Sequence, residues 1–243
     1  MEPIYQQTFS VDDSRVDCRG YLKPSQLLFF IQQTSGEHSA ALSVGYEDLL
    51  KRRLFWAVTR HRVQITRLPH SGESIRVETW PMPATRVAYP RSTVAYDENG
   101  NECFRAITLW VLMDLDTRNM ILPGKSEILV PGTLRGGELT VPGALVPKTL
   151  TGEVGRRVCF TDLDRNGHMN NTRYMDWVAD LLPSSFHRVH NLREFVICYH
   201  TEAREGQSLT LRYDAIPQGA VQVEGFGEEQ NPRIFTARLI YED

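Results

Sequence analysis

Cysteine is scarce in these 243 residues, and its placement excludes two classes of protein at once. Cys18, Cys103, Cys159 and Cys198 form no CxxC pair and have no histidine at metal-finger spacing, so neither a zinc site nor a disulfide framework is indicated. Reduced, partly buried thiols are expected. The two-histidine helix motif of zinc hydrolases is missing, so no metal and no other cofactor is expected, and without a Gly-x-Ser-x-Gly elbow a serine acyl-enzyme is disfavoured. Positive charge is in no excess: 27 Lys and Arg against 30 Asp and Glu give a net charge of -3. With no helix-turn-helix pattern either, nucleic acid is not an expected partner. No apolar run is long enough to span a bilayer, and the start, Met1-Glu2-Pro3-Ile4-Tyr5-Gln6, contains no signal core. No membrane association and a cytoplasmic location are therefore expected.

What is present is a concentrated polar cluster. From Phe160 to Tyr174 the chain sets Asp164, Asn166 and His168 at alternate positions just before a helix. In an extended backbone side chains two apart point the same way, so a carboxylate, an amide and an imidazole would converge beside the amide groups of the helix start, an arrangement suited to a polarised carbonyl. A polar loop in which Asn170, Asn171 or Thr172 caps the helix accounts for the asparagines, but not for His168 or the three-way spacing.

The chain reads as two copies of one unit. A buried helix opens at Lys23-Pro24-Ser25 and runs through Leu27-Leu28-Phe29-Phe30-Ile31, and a second, with Tyr174, Trp177, Val178, Leu181 and Leu182 on one face, stops at Pro183. Strand-like runs follow each helix, at 56–65, 74–80, 86–96 and 103–115, then at 195–202, 208–215, 220–226 and 233–241. Hairpin turns are expected at 97–100 and at 228–232. Residues 17–22 lie over 164–169 and residues 72–77 over 206–211, so Arg19 and Tyr21 stand where the second copy has Asn166 and His168. The expected class is α+β, a tandem (double) hotdog in which each half is a long helix wrapped by a curved antiparallel sheet, the two pairing as a built-in pseudo-dimer with an apolar cleft at the seam. The first hotdog is placed at 1–130, a Pro- and Gly-rich linker at 131–148 and the second hotdog at 149–243.

The run Asp162-Leu163-Asp164-Arg165-Asn166-Gly167-His168-Met169-Asn170-Asn171, with Tyr174 and Trp177 in step, resembles the signature of the acyl-acyl carrier protein thioesterases, double-hotdog enzymes of plant plastids and bacteria. The resemblance implies hydrolysis of a fatty acyl thioester on acyl carrier protein, releasing the free acid and ending chain growth. It places the catalytic Asp, Asn and His at Asp164, Asn166 and His168, and a further acidic residue at Glu202 within Tyr199-His200-Thr201-Glu202-Ala203. Ala203 stands where plant members have a cysteine, so no thiol can act there. Cys198 would share a strand face with Glu202 by alternation. The start is short, with no plastid-type transit segment, as in a bacterial member.

Glu202 or Asp164 is expected to activate water or to attack the carbonyl directly, with Asn166, His168 and the amides at the start of the second helix holding the oxyanion. Acyl-chain recognition is expected from Leu27, Phe30 and Ile31 facing Trp56 and Val58. Acyl carrier protein is acidic, which makes Lys51-Arg52-Arg53, Arg60-His61-Arg62 and the stretch 188–193 candidate docking surfaces. Competing expectations are an acyl-coenzyme A thioesterase, a non-catalytic acyl-thioester-binding hotdog protein and, with less support from the signature, a dehydratase. Chain-length preference and assembly into a homodimer are left open.

Overall fold

A computed structural model describes residues 3–214, 219–228 and 232–242 and divides into two compact units, Met1–Val141 and Pro142–Asp243. In the first unit β1 (Tyr5–Ser10) is followed by α1 (Pro24–Ala41), α2 (Tyr46–Lys51), β2 (Leu54–Ile65), β3 (Ser74–Pro81), β4 (Tyr89–Tyr96), β5 (Glu102–Asp114) and the short β6 (Met120–Ile121). Its antiparallel sheet has the order β1-β3-β4-β5-β2, with β6 paired to the end of β5. The second unit contains β7 (Gly152–Arg157), α3 (Arg173–Ala179), α4 (Ser184–Val189), β8 (Asn191–Tyr199), β9 (Ser208–Tyr213), β10 (Ala220–Gly227) and β11 (Arg233–Glu242). Its order, β7-β9-β10-β11-β8, repeats that of the first unit strand for strand. Duplication is therefore visible in topology as well as in sequence.

The eight expected strands are present with shifted ends. Three more were not anticipated: the two-residue β6, and β1, YQQTFS, and β7, GEVGRR, short outer strands too poor in apolar residues to signal themselves, which pair with β3 and β9. The two helices differ more than their patterns suggest. α1 runs 18 residues from a first-turn proline. α3 runs only seven, so the long helix expected in the second half is corrected: after Ala179 the amides of Leu181 and Leu182 reach back three residues, to Val178 and Ala179, and Pro183 then supplies no N–H. Met1 and Glu2, Ala215 at the end of one expected strand, and residues 229–231 of the expected 228–232 turn lie outside the described residues.

The sheet face beneath α1 is not uniformly apolar. Register places Ile65, Phe104 and Ala95 in one row across β2, β5 and β4, and Val63, Ala106 and Thr93 in the next. His61, Thr108 and Arg91 form the third row, and beyond them stand Val58, Trp110 and Tyr89, then Trp56 and Leu112. A bulge between Val58 and Arg60 keeps both ends of β2 aligned with this pattern. The third row is polar and buried, and α1 answers it: Thr34, Ser35 and His38 are buried in the helix's later turns, after the apolar Leu27, Phe30 and Ile31. Arg91 Nη1 lies 3.0 Å from His38 Nδ1, and His61 Nδ1 lies 2.9 Å from Thr108 Oγ1.

Candidate active site

The segment holding Asp164, Asn166 and His168 is a tight turn rather than the extended strand expected from alternate spacing. Asp164 Oδ1 accepts the backbone N–H groups of Asn166 (2.8 Å) and His168 (3.3 Å), the Asp164 N–H donates to the His168 carbonyl (2.8 Å), and Gly167 closes the turn at φ +75°. Only glycine adopts that φ without steric cost, which explains the Gly in the motif. Asn166 Nδ2 lies 3.4 Å from Asp164 Oδ2. Convergence thus comes from the turn and its aspartate.

The first unit builds the same cradle. Asp17 Oδ1 accepts from Arg19 N (2.8 Å) and Tyr21 N (3.2 Å), the Asp17 N–H meets the Tyr21 carbonyl at 2.8 Å, and Gly20 has φ +83°. Each turn is pinned from behind in the same way: Leu22 N donates to the Pro69 carbonyl and Met169 N to the Ala203 carbonyl, both at 2.8 Å. Bridges Tyr21–His70 and His168–Arg204 complete the match.

The fourth expected residue joins the cluster: His168 Nε2 lies 3.3 Å from Glu202 Oε2, with the His168 side chain 17% and that of Glu202 42% exposed. Glu202 does not lie on the strand. β8 ends at Tyr199 because the amides of His200 and Thr201 both turn onto the Ile234 carbonyl, so strand alternation cannot place Cys198 beside Glu202. Cys198 is itself buried in the sheet, opposite Thr236. Ala203 is fully buried.

Tyr174, noted in the signature but given no role there, also belongs to the site. Its ring packs against Tyr199 and Phe235 at centroid distances of 5.6 and 4.9 Å. Burial raises the pKa of its phenol, the Ala203 amide opposes that shift by hydrogen bonding to it, and the charges of Glu202 and Asp164 raise it further. Its hydroxyl therefore stays protonated near both carboxylates. The Tyr199 hydroxyl donates to the Asn171 carbonyl at 2.8 Å and holds the loop that follows His168.

Other expected groups lie elsewhere. The amides at the start of the second helix are engaged locally: Thr172 N donates to Asn170 Oδ1 (3.0 Å) and Arg173 N to the Asn170 carbonyl (3.0 Å). Those two groups are unavailable to an oxyanion. Leu27, Phe30 and Ile31 are fully buried in the first unit, where Phe30 stacks on Phe9 at 4.2 Å. Trp56 and Val58 are half-buried, and Trp56 Nε1 donates to the Val44 carbonyl at 2.9 Å. On the sheet the polar row of His61, Thr108 and Arg91 lies between Val58 and Val63. Among the expected basic docking groups, Arg53 is paired with Asp116, Arg193 with Glu242, and His61 is buried. Among the described residues no group of three or more His, Cys, Asp or Glu side chains is placed to hold a metal ion, and no helix is long and apolar enough to cross a membrane.

Sequence profiles of the acyl-ACP thioesterase N-terminal domain and the acyl-ACP thioesterase C-terminal domain match residues 2–126 and 151–231. The chain belongs to the acyl-ACP thioesterase family. Relatives of this family include the chloroplastic palmitoyl-acyl carrier protein thioesterase of Gossypium hirsutum, 25% identical over 244 residues covering 92% of this chain and 58% of the relative. The chloroplastic oleoyl-acyl carrier protein thioesterase 1 of Arabidopsis thaliana is 23% identical, covering 83% of this chain and 61% of the relative. This chain thus spans about three-fifths of the length of these curated relatives. An acyl-ACP thioesterase from Bacteroides thetaiotaomicron has the same fold, with a TM-score of 0.90 at 22% identity over 99% of this chain and 98% of that one. The 12:0-ACP thioesterase from Umbellularia californica aligns with a TM-score of 0.83 at 21% identity over 100% of this chain and 98% of that one. The fold is the double hotdog of the acyl-ACP thioesterases.

Proposed function

We propose that this protein hydrolyses fatty acyl thioesters presented by acyl carrier protein, releasing the free acid and the carrier thiol and so ending chain growth. The observation that carries the proposal is the His168–Glu202 contact on a cradle whose twin in the first unit bears Tyr21 instead of the imidazole. Family membership supports acyl carrier protein as the carrier, and a cytoplasmic site of action is part of the proposal.

The two carboxylates have different parts in this mechanism. Asp164 is committed to backbone N–H groups, as Asp17 is in a turn without the imidazole and the amide, and is a positioning residue. Glu202 faces the His168 imidazole and is the general base: it takes a proton from water as the oxygen attacks the thioester carbonyl, with His168 orienting both. Asn166, exposed at the tip of the turn, offers its amide to the carbonyl oxygen. The Tyr174 hydroxyl, held protonated, steadies the negative charge that gathers between Asp164 and Glu202. The thiolate then leaves without strong acid assistance. Acyl-chain contacts are assigned to Leu27, Phe30, Ile31, Trp56 and Val58 in the first unit.

The test is turnover of one acyl group on acyl carrier protein and on coenzyme A, followed as free acid and free thiol. Faster hydrolysis of the carrier-bound group supports the proposal. Faster hydrolysis of the coenzyme A ester would transfer the same chemistry to that carrier, and acyl binding without release of acid would leave a binding protein.

A further inference from the structure

The reactive turn and its twin share a longer scaffold than the turn itself, and their rims differ in charge. Val11 N donates to the Glu73 carbonyl and Val158 N to that of Gln207, while Gly72 N and Gly206 N return to the carbonyls of Val11 and Val158. A single three-residue 3-10 turn follows in each unit, Asp13–Arg15 and Phe160–Asp162. It is closed by Arg15 N on the Asp12 carbonyl (3.0 Å) and by Asp162 N on the Cys159 carbonyl (2.9 Å). These shared bonds match the rims residue by residue: Ser10 with Arg157, Asp13 with Phe160, Cys18 with Arg165 and His70 with Arg204.

On the first rim the acids are exposed and the cations are spoken for. Arg15 pairs with Asp12 at 3.2 Å, Arg19 with Asp17 at 2.8 Å, and Asp13 accepts from the Ser71 hydroxyl. On the second rim Arg157, Arg165 and Arg204 are exposed, against one exposed acid in the same loop, Glu205. Neither Arg157 nor Arg204 has a carboxylate within ion-pair distance among the described residues. The Arg157 guanidinium lies over the loop that carries Arg204, with Nη2 3.8 Å from the place of a Cβ on Gly206. Between these charges Phe160 is 76% exposed, on a turn fixed by the Cys159 N–H donating to the buried Asp162 carboxylate at 3.0 Å. The turn does not need the aromatic ring, since the twin builds the same turn with Asp13. Exposed arginines around an aromatic side chain are what protein interfaces gather at their centres.

We infer that Arg157, Phe160, Arg165 and Arg204 form the docking surface for the acidic carrier protein, mounted on the rim of the reactive turn and missing from its twin. The inference rests on the thioesterase reading and names where its carrier binds. Arg204 follows Glu202 by two residues, and the pantetheine arm that bears the thioester has about the reach of four extended residues. A carrier seated here can therefore present its ester to the His168–Glu202 pair. The same carrier at the first rim would meet Asp12 and Asp13 and be repelled.

The test sets one acyl group on acyl carrier protein beside the same group on pantetheine, which brings no protein surface. Arg157→Glu and Arg204→Glu should each raise KM for the carrier-bound ester about tenfold with little change in kcat, and should leave the pantetheine ester unaffected. Phe160→Asp, which copies the twin, should do the same. Wild-type kcat/KM for the carrier-bound ester should fall with added salt, and fall less steeply in the arginine variants. Calorimetric titration with carrier protein bearing no acyl group gives a readout independent of turnover, in which each variant should bind about tenfold more weakly. Unchanged KM and binding in folded variants, or an equal rise in KM for both esters, overturns the inference. Absence of hydrolysis of either ester by the wild type would instead defeat the thioesterase reading, with the titration still deciding whether the carrier docks on this rim.

Discussion

Leu68 stands in the first unit where Glu202 stands in the second: each directly precedes the residue, Pro69 or Ala203, whose carbonyl pins the neighbouring turn. An apolar side chain and a carboxylate thus occupy matching places beside matching cradles. The difference between the units lies in what the cradles present.

Glu202→Gln should lower kcat/KM by about two to three powers of ten, and His168→Ala by a comparable factor, with little change in melting temperature because neither side chain belongs to the core. Steady-state kinetics with circular dichroism of each variant is the check. Near wild-type turnover in both would remove the proposed base and its partner. Cys198→Ala should be almost silent in the same assay, since that thiol is buried in the sheet.

Asp164→Asn should cost much less than Glu202→Gln, because an amide oxygen can still accept the N–H groups of Asn166 and His168. Asp164→Ala should lose the turn and with it about 1–2 kcal/mol of stability, and Asp17→Ala should lose a similar amount without touching the chemistry. Denaturant unfolding of the two alanine variants, set beside their kinetics, separates positioning from proton transfer. Equal loss of activity in Asp164→Asn and Glu202→Gln would put both carboxylates in the chemistry.

Gly167→Ala should reduce kcat with a stability loss of about 1–2 kcal/mol, since φ +75° is strained for any residue with a Cβ. Gly20→Ala should be the more destabilising of the two, because its added Cβ would also meet the His70 ring, yet kcat should hold. Melting curves and single-substrate kinetics give both comparisons.

Burial lowers the pKa of His61 from 6.5 to about 3, so the folded protein keeps the ring neutral over a range where the unfolded chain binds a proton. The unfolded state binds more protons between those two values, so stability rises with pH across that window and is lost as pH falls from about 6.5 toward 3. The slope from this group approaches about 1.4 kcal/mol per pH unit. His61→Gln should flatten it, as read from urea midpoints at pH 6.5 and 4.5. An unchanged slope would show that His61 does not titrate in this way.

Much of this was legible before any coordinates. Strand periodicity and turn residues located eight of the strands, and the six-residue overlay of 17–22 on 164–169 identified two turns that share the aspartate-centred hydrogen bonds named above. Outer strands such as β7 escaped because one half-buried face needs few apolar residues to signal it. The reach of α3 was overstated because Leu181 and Leu182 keep helical spacing while only three-residue hydrogen bonds hold them. Glu202 was found by resemblance, its contact with His168 depending on a bend that no local pattern encodes. Arg91 passed unnoticed for a different reason: in sequence it is one more charge in a strand, and its burial follows from a distant helix, α1, lying against it.

The two cradles consist almost wholly of main chain, one aspartate and one glycine, and neither depends on what is mounted at the second and fourth places after the aspartate. The fold therefore treats its reactive groups as exchangeable passengers. Giving the first unit counterparts of Asn166, His168 and Glu202 calls for new side chains at Arg19, Tyr21 and Leu68 and for no new backbone in the turn, which makes this chain a host for a second polar cluster of the same kind.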